Sequence, residues 1–325
     1  VSGLLPLLAQ SPALFIALAA LLGLLVGSFL NVVIYRLPIM LEHQWRAECA
    51  QFAQATAAAP GAAAPDVPVA AVASATPVAS AAPVASAARV ERFNLIVPGS
   101  SCPACAAPIR PHQNIPLLSY ALLRGRCARC QAPIGARYPL VELLTGLLSA
   151  AVAWRFGVGA AAACAILVTW FLIALTCIDL DHQLLPDALT LPLLWLGLVA
   201  SATGLRSNGQ SVPVDPVSAI AGAAAGYLSL WAVYHAFRLL TGKEGMGHGD
   251  FKLLAALGAW LGWQMLLPIV LLSAGVGAVV GIALIALRRT QHGTPIPFGP
   301  FLAGAGWIAM LWGPGIVHVY LGLYR

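Results

Sequence analysis

Charged residues are scarce in this chain. Asp, Glu, Lys and Arg make up 9% of its 325 residues, where a soluble globular domain carries about 25%. That deficit excludes an ordinary soluble enzyme. Acids are scarcer than bases, eleven against seventeen, for a formal net charge of +6. A hydrophobic content of 60% excludes a disordered chain, which lacks apolar residues to bury. Seven cysteines are too few for a disulfide scaffold, so their spacing carries more than their number. No G-x-G-x-x-G nucleotide motif occurs. No basic stripe interleaved with aromatics occurs either, so no nucleic-acid partner is expected.

Long apolar runs are plentiful. A spanning helix needs about 20 mostly apolar residues, because its backbone must satisfy its own hydrogen bonds in lipid. Runs of that kind occur over residues 11–35, 140–153, 160–178, 188–204 and 217–240. A sixth and a seventh share 253–287, broken at Gly262-Trp263-Gln264 and Pro268. The eighth covers 301–323. The fold class expected is an all-α polytopic membrane protein of about eight transmembrane helices. The first run lacks a basic flank and an A-x-A site, and is read as a retained helix, not a cleaved signal. Placing the segment after the first span in the cytoplasm puts fourteen of the seventeen cations inside and only Arg155, Arg206 and Arg325 outside. That is the positive-inside pattern, and eight spans put both termini in the periplasm. Tryptophans near span ends read as an aromatic belt.

The inter-span segment, 37–138, has two unlike parts. Residues 53–88 are nearly all Ala, Pro, Val, Ser and Thr, with Asp66 the one charge and five prolines. They read as a low-complexity linker. Over 99–137, Cys102-Pro-Ala-Cys105 is followed after twenty-one residues by Cys127-Ala-Arg-Cys130. Two C-x-x-C pairs at that separation read as a structural four-cysteine zinc site. Two disulfides or four free thiols are the alternatives, and a reducing cytosol argues against disulfides. Cys49, Cys164 and Cys177 lack such partners and read as small apolar packing residues.

Acids beside apolar spans can be weighed one by one. Asp179, Asp181 and Asp187 lie in Ile178-Asp-Leu-Asp-His-Gln-Leu-Leu-Pro-Asp187. Asp250 ends Gly245-Met-Gly-His-Gly-Asp250. The orientation puts all four at one cytoplasmic depth. Two carboxylates on separate helices could share a proton and activate a water, one as base and one as acid. Ion or proton transport is a second reading. A third is plain structure, with Asp250 the N-cap of the next helix. Gly247 and Gly249 would let a substrate backbone or a partner helix come close. Glu142, just inside the second span, requires a partner or a wet cavity. Lys243 and Glu244 read as a solvated pair. His182, His248 and His292 lack metal-ligand spacing, and His235 and His318 read as packing or interfacial residues.

Together these elements resemble the type IV prepilin peptidase family over nearly the whole chain. The matching motifs are Gly27-Ser-Phe-Leu-Asn-Val-Val-Ile-Tyr-Arg-Leu-Pro38, Met40-Leu-Glu-His-Gln-Trp45, the two C-x-x-C pairs and Tyr138-Pro-Leu-Val-Glu-Leu-Leu144. They continue through the Asp179 run, Lys243-Glu-Gly-Met-Gly-His-Gly-Asp-Phe-Lys252 and Pro297-Phe-Gly-Pro300. The resemblance implies a bifunctional enzyme of the bacterial inner membrane, an aspartic leader peptidase and N-methyltransferase. Its substrates would be prepilins and pseudopilins of pilus or type II secretion systems, met in the lipid bilayer. It would cut a basic leader after glycine on the cytoplasmic side, then methylate the new N-terminal residue with S-adenosylmethionine. By motif position the catalytic aspartates fall on Asp179 and Asp250. Asp181 and Asp187 are the rivals for the first role, and with Gly247 and Gly249 would support the peptidase site. Gly125 matches a glycine linked to methyl transfer, and Glu42 is a second candidate there.

The division expected is a first transmembrane helix over 1–36, the cytoplasmic segment over 37–138 and a membrane peptidase domain over 139–325. The Ala/Pro tract is long for the family, and the loop over 201–216 is slightly extended. Two competing functions are a protease-only relative and a zinc-stabilised transporter using Asp179 and Asp250. The four-cysteine loop with Gly125 weighs against the first. The absence of an internal repeat weighs against the second.

Overall fold

A computed structural model describes residues 8–57, 93–204, 212–242, 245–287 and 296–322. Most of the Ala/Pro tract, part of the 201–216 loop, Lys243, Glu244, Arg288, Arg289, His292 and the terminal Arg325 lie outside the described residues.

Those residues are mostly helical. In chain order the helices are α1 (Pro12–Ala57), the short α2 (Leu118–Leu122), α3 (Arg137–Phe156), α4 (Ala160–His182) and α5 (Asp187–Ala202). They continue with α6 (Pro216–Thr241), α7 (His248–Leu261), α8 (Leu266–Ala286) and α9 (Gly299–Gly322). Two isolated antiparallel bridges, Ser101 with Pro108 and Arg126 with Pro133, are the only β pairing recorded among the described residues.

Among the described residues, five stretches are long and apolar enough to cross a membrane: Pro12–Ala55, Arg137–Phe156, Ala160–His182, Pro216–Thr241 and Trp263–Ala286. α5 and α7 fall short, at 16 and 14 residues. α7, which falls where the sixth span was expected, is enclosed by protein. Phe251, Leu253, Leu254, Leu257, Trp260 and Leu261 are all buried, so its whole circumference is covered by protein. An apolar helix buried all round belongs to a core. It packs on α5, α6 and α9.

Small residues make that packing possible. A Cβ on Gly222 of α6 would lie 2.3 Å from the Gly258 carbonyl oxygen of α7, so the two backbones touch. Without water, such close van der Waals contact and interhelical hydrogen bonds drive helix association. Trp260 Nε1 donates to the Leu193 carbonyl at 2.8 Å, Trp170 Nε1 to Ser149 Oγ at 3.0 Å and Trp307 Nε1 to Thr169 Oγ1 at 3.1 Å. These tryptophans tie helices together. Trp260 is wholly buried and is core, not belt.

Several boundaries move. α1 continues to Ala57, well past residue 35. Apart from Pro38, its added turns are mostly helix formers, reinforced by a Glu42–Arg46 pair at i, i+4. α4 runs through His182, so Asp179 and Asp181 sit on its last turn rather than after it. The chain breaks at Gly262, whose φ is +82°, while Pro268 lies inside the first turn of α8. There a proline's missing N–H costs nothing. The chain divides into two compact units, one of 1–35 with 100–325 and one of 36–99. In the second, Arg36 Nη1 donates to the Asn94 carbonyl at 2.9 Å, and Asn94 Oδ1 accepts from the amides of Ile96 and Val97.

Candidate functional site

Asp179 and Asp250 come from different helices and different helix ends. Asp179 is on the final turn of α4, and Asp250 is the third residue of α7. Both side chains are buried, and each carboxylate lies within electrostatic reach of the other. Asp179 Oδ2 and Asp250 Oδ1 are the only buried side-chain polar atoms without a hydrogen-bond partner among the described residues. A buried polar atom left unpaired costs on the order of 2–7 kcal/mol. Such an atom calls for an explanation, and catalysis is a common one.

The neighbouring acids are engaged elsewhere. Asp181 pairs with Arg137 at the start of α3, and Asp187 binds Lys252 Nζ through both oxygens at 2.6 and 2.7 Å. Residues two apart on a helix point to opposite faces. Asp181 therefore turns away from the face that Asp179 shares with Asp250. The N-cap reading of Asp250 fails, because Gly247 holds the cap position of α7 and Asp250 lies inside the first turn.

A third strand of chain closes over the pair. The connection from α4 to α5 carries Leu185, which is buried. A Cβ on Gly249 would lie 2.6 Å from Leu185 Cβ, and one on Gly299 would lie 3.2 Å from Leu185 Cδ1. The same Cβ on Gly299 would lie only 2.5 Å from Asp179 Oδ2. The Cα of Gly299, at the start of α9, is thus packed directly against the Asp179 carboxylate. At Gly249 the approach is by Leu185 of the connecting loop, not by a partner helix. At Gly247 only Asp250's own Oδ2 is near, at 3.9 Å. Pro297-Phe-Gly-Pro300 stands out in the sequence as a motif, but nothing there gives Gly299 a place in the site. A glycine between two prolines at a helix start was the available signal.

The four motif cysteines converge. Their sulfurs all lie within 4.8 Å of one another, and the Cys102 and Cys130 sulfurs are 3.8 Å apart. Tetrahedral zinc with bonds of about 2.3 Å separates its sulfurs by about 3.8 Å, so the set fits that ion. Two matching turns build it. Ala106 and Gln131 follow the second cysteine of each pair with left-handed φ, and each amide donates back to the first cysteine's carbonyl. The Cys130 and Arg129 amides, aimed at the Cys127 sulfur, bring that thiol down to about 6. The Ala132 amide favours the Cys130 thiolate, yet the Cys105 sulfur, burial and the remaining thiols push that thiol up to about 11. All seven cysteines are free thiols. Cys49 is exposed, so its reading as a packing residue fails. It lies on the polar extension of α1.

Glu142 has its partner, the Leu117 amide, which donates to Oε2 at 2.9 Å. That bond ties the segment bearing the cysteine turns to α3. Gly125 adopts φ +69° in the tight link before Cys127, and its amide donates to the Tyr120 carbonyl at 2.9 Å. Glu42 is exposed on α1 and paired with Arg46. His248 packs at a tilt against Tyr234 and Phe251, and His235 lies tilted on Trp231 and edge-on to Tyr234.

Comparison with known proteins gives this arrangement its context. The family model of the bacterial peptidase A24 N-terminal domain matches residues 21–156, and that of the type IV leader peptidase family matches residues 166–282. Proteins named prepilin leader peptidase/N-methyltransferase are similar over nearly the whole chain. That of Pseudomonas aeruginosa is 51% identical over 318 residues, covering 98% of this chain and 97% of its own. That of Stutzerimonas stutzeri is 49% identical over 318 residues, 98% of each chain, and that of Aeromonas salmonicida 53% over 310 residues, 95% of each. No solved structure matches the chain. At such identity over such lengths, this chain belongs to the type IV leader peptidase family.

Proposed function

We propose that this protein is a bifunctional prepilin leader peptidase and N-methyltransferase. It cleaves the basic leader of prepilins and pseudopilins after glycine at the cytoplasmic face of the inner membrane. It then methylates the new N-terminal residue with S-adenosylmethionine. In this reading the helices other than α2 and the polar extension of α1 lie at membrane depth, with the cysteine module, Asp179 and Asp250 on the cytoplasmic side.

One observation carries the peptidase half. Asp179 and Asp250 each carry a buried carboxylate oxygen without a hydrogen-bond partner among the described residues, while Asp181 and Asp187 are held in ion pairs. In this reading the two carboxylates share one proton. The ionised member takes a proton from water, and the hydroxide formed attacks the scissile carbonyl. The protonated member delivers its proton to the departing amide nitrogen. The two titrations belong to the pair. The substrate's apolar helix stays among the spans while its basic leader remains on the cytoplasmic side. Cys102, Cys105, Cys127 and Cys130 hold zinc, whose closed coordination sphere gives it a structural role. The methyl-transfer half rests on kinship, and Gly125 and Glu42 remain its candidate residues.

Incubation with a prepilin and a labelled methyl donor reports both activities. Asp179→Asn and Asp250→Asn each abolish cleavage while the protein accumulates normally. Methyl transfer to a pre-cut pilin persists in both. Normal cleavage by either variant overturns the dyad.

A further inference from the structure

We propose that the cations Arg137 and Lys252 are positioning residues for cleavage, each holding one aspartate of the pair in place through an ion pair behind it. The proposal rests on the dyad reading above.

Both aspartates occupy helix ends. Asp179 is three residues from the end of α4, and Asp250 two residues from the start of α7. Terminal turns lack part of the backbone hydrogen-bond ladder and fray. Each of these turns is fastened from behind. Asp181, two residues beyond Asp179, pairs with Arg137, the first residue of α3. Lys252, two residues beyond Asp250, pairs with Asp187, the first residue of α5. A step of two residues turns about 200° around a helix. Each pair therefore acts on the side opposite the carboxylate it positions. The arrangement repeats on both sides of the site: an aspartate, an ion pair two residues on, and the first turn of a helix bearing neither aspartate.

These pairs are poorly suited to holding the fold. Arg137 and Asp181 are 47% and 30% exposed, Lys252 and Asp187 28% and 56%. Partly exposed pairs contribute little to stability. What they fix is the azimuth of two short helix ends, and reaction rates are steep in that coordinate. A shift of about 1 Å at reacting groups costs about 100-fold.

The test is steady-state kinetics of leader cleavage on the full-length protein, with methyl transfer to a pre-cut pilin as control. Arg137→Gln and Lys252→Gln should each lower kcat about 10- to 100-fold, with KM and methyl transfer unchanged. The reversed pair, Arg137→Asp with Asp181→Arg, should recover at least about tenfold of the loss, and Lys252→Arg should retain most activity. A wild-type kcat in both Gln variants overturns the proposal. So does a rise in KM alone, which would put the cations on the substrate. Loss of both activities together, unrepaired by the reversed pair, also overturns it. Asp179→Asn and Asp250→Asn run alongside. If they still cleave, the dyad reading has failed; if they are dead while Arg137→Gln is normal, only the positioning role has.

Discussion

Gly299→Ala tests the site at its tightest contact. The added Cβ would lie 2.5 Å from Asp179 Oδ2 and 3.1 Å from its Cγ, where ordinary contact begins at 3.4 Å. The overlap of about 0.9 Å falls on the far end of a side chain, so the carboxylate yields rather than the backbone. It cannot swing freely, because Leu185 Cδ1 lies 3.2 Å from the same Cβ. Asp179 must rotate away from its place opposite Asp250. A displacement near 1 Å at a reacting group corresponds to about 100-fold in rate, or about 2.7 kcal/mol in barrier. Gly299 does not have a left-handed φ, so alanine is conformationally acceptable and the fold should survive. Gly304→Ala, on the same helix with nothing within 4 Å of its Cβ, should leave cleavage intact. It should also strengthen α9 by up to about 1 kcal/mol. The assay is single-turnover cleavage of a prepilin by purified enzyme, with thermal unfolding in parallel. Wild-type cleavage by Gly299→Ala, or equal loss in both variants, would refute the contact argument.

Two other predictions concern the cysteine module. Metal analysis should find one zinc per chain, lost on Cys102→Ser with Cys127→Ser; unchanged zinc would remove the four-cysteine assignment. After chelation at pH 7, iodoacetamide should modify Cys127 before Cys130. A thiol near 6 is about nine-tenths thiolate at that pH, against about one-hundredth for an ordinary value of 9. The depressed value favours the thiolate of the folded state. That advantage is complete above pH 9 and gone below about 6, so Cys127 labelling should fade on acidification to about pH 5. Cys130, pushed up to about 11, should stay slow throughout. Mass mapping of the adducts decides it. Glu142→Ala should leave the Leu117 amide without its acceptor, costing about 1–3 kcal/mol. Thermal unfolding and proteolysis between 110 and 125 would show it, and an unchanged pattern would mean that Glu142 does not anchor this segment.

Much of this protein is legible in local sequence. Residue type and spacing alone marked the apolar runs, the two C-x-x-C turns, and Asp179 and Asp250 as acids beside spans. These features are short-range. Helix periodicity, a knuckle's two thiols and a charge in an apolar run are all visible within about 20 residues. Resemblance supplied the link between the two aspartates, 71 positions apart by their numbers.

Other properties needed three dimensions. The sequence treats Asp179, Asp181 and Asp187 as equals, and tertiary structure separates them. Arg137 and Lys252 neutralise two of the three because α3 and α7 arrive there, and no local pattern encodes which distant cation meets which acid. The extent of α1 beyond residue 35 was missed because its continuation is polar helix, invisible to a search for apolar runs. α7 looked like a span because its apolar residues are the same whether lipid or protein covers them. Only its neighbours α5, α6 and α9 decide that it is core. Gly299 entered the site for the same reason: a missing side chain signals nothing until another chain segment occupies its place. The sequence by itself determined which residues were capable of chemistry. The tertiary structure decided which of them are left unpaired to perform it, because pairing is a property of contacts between distant helices.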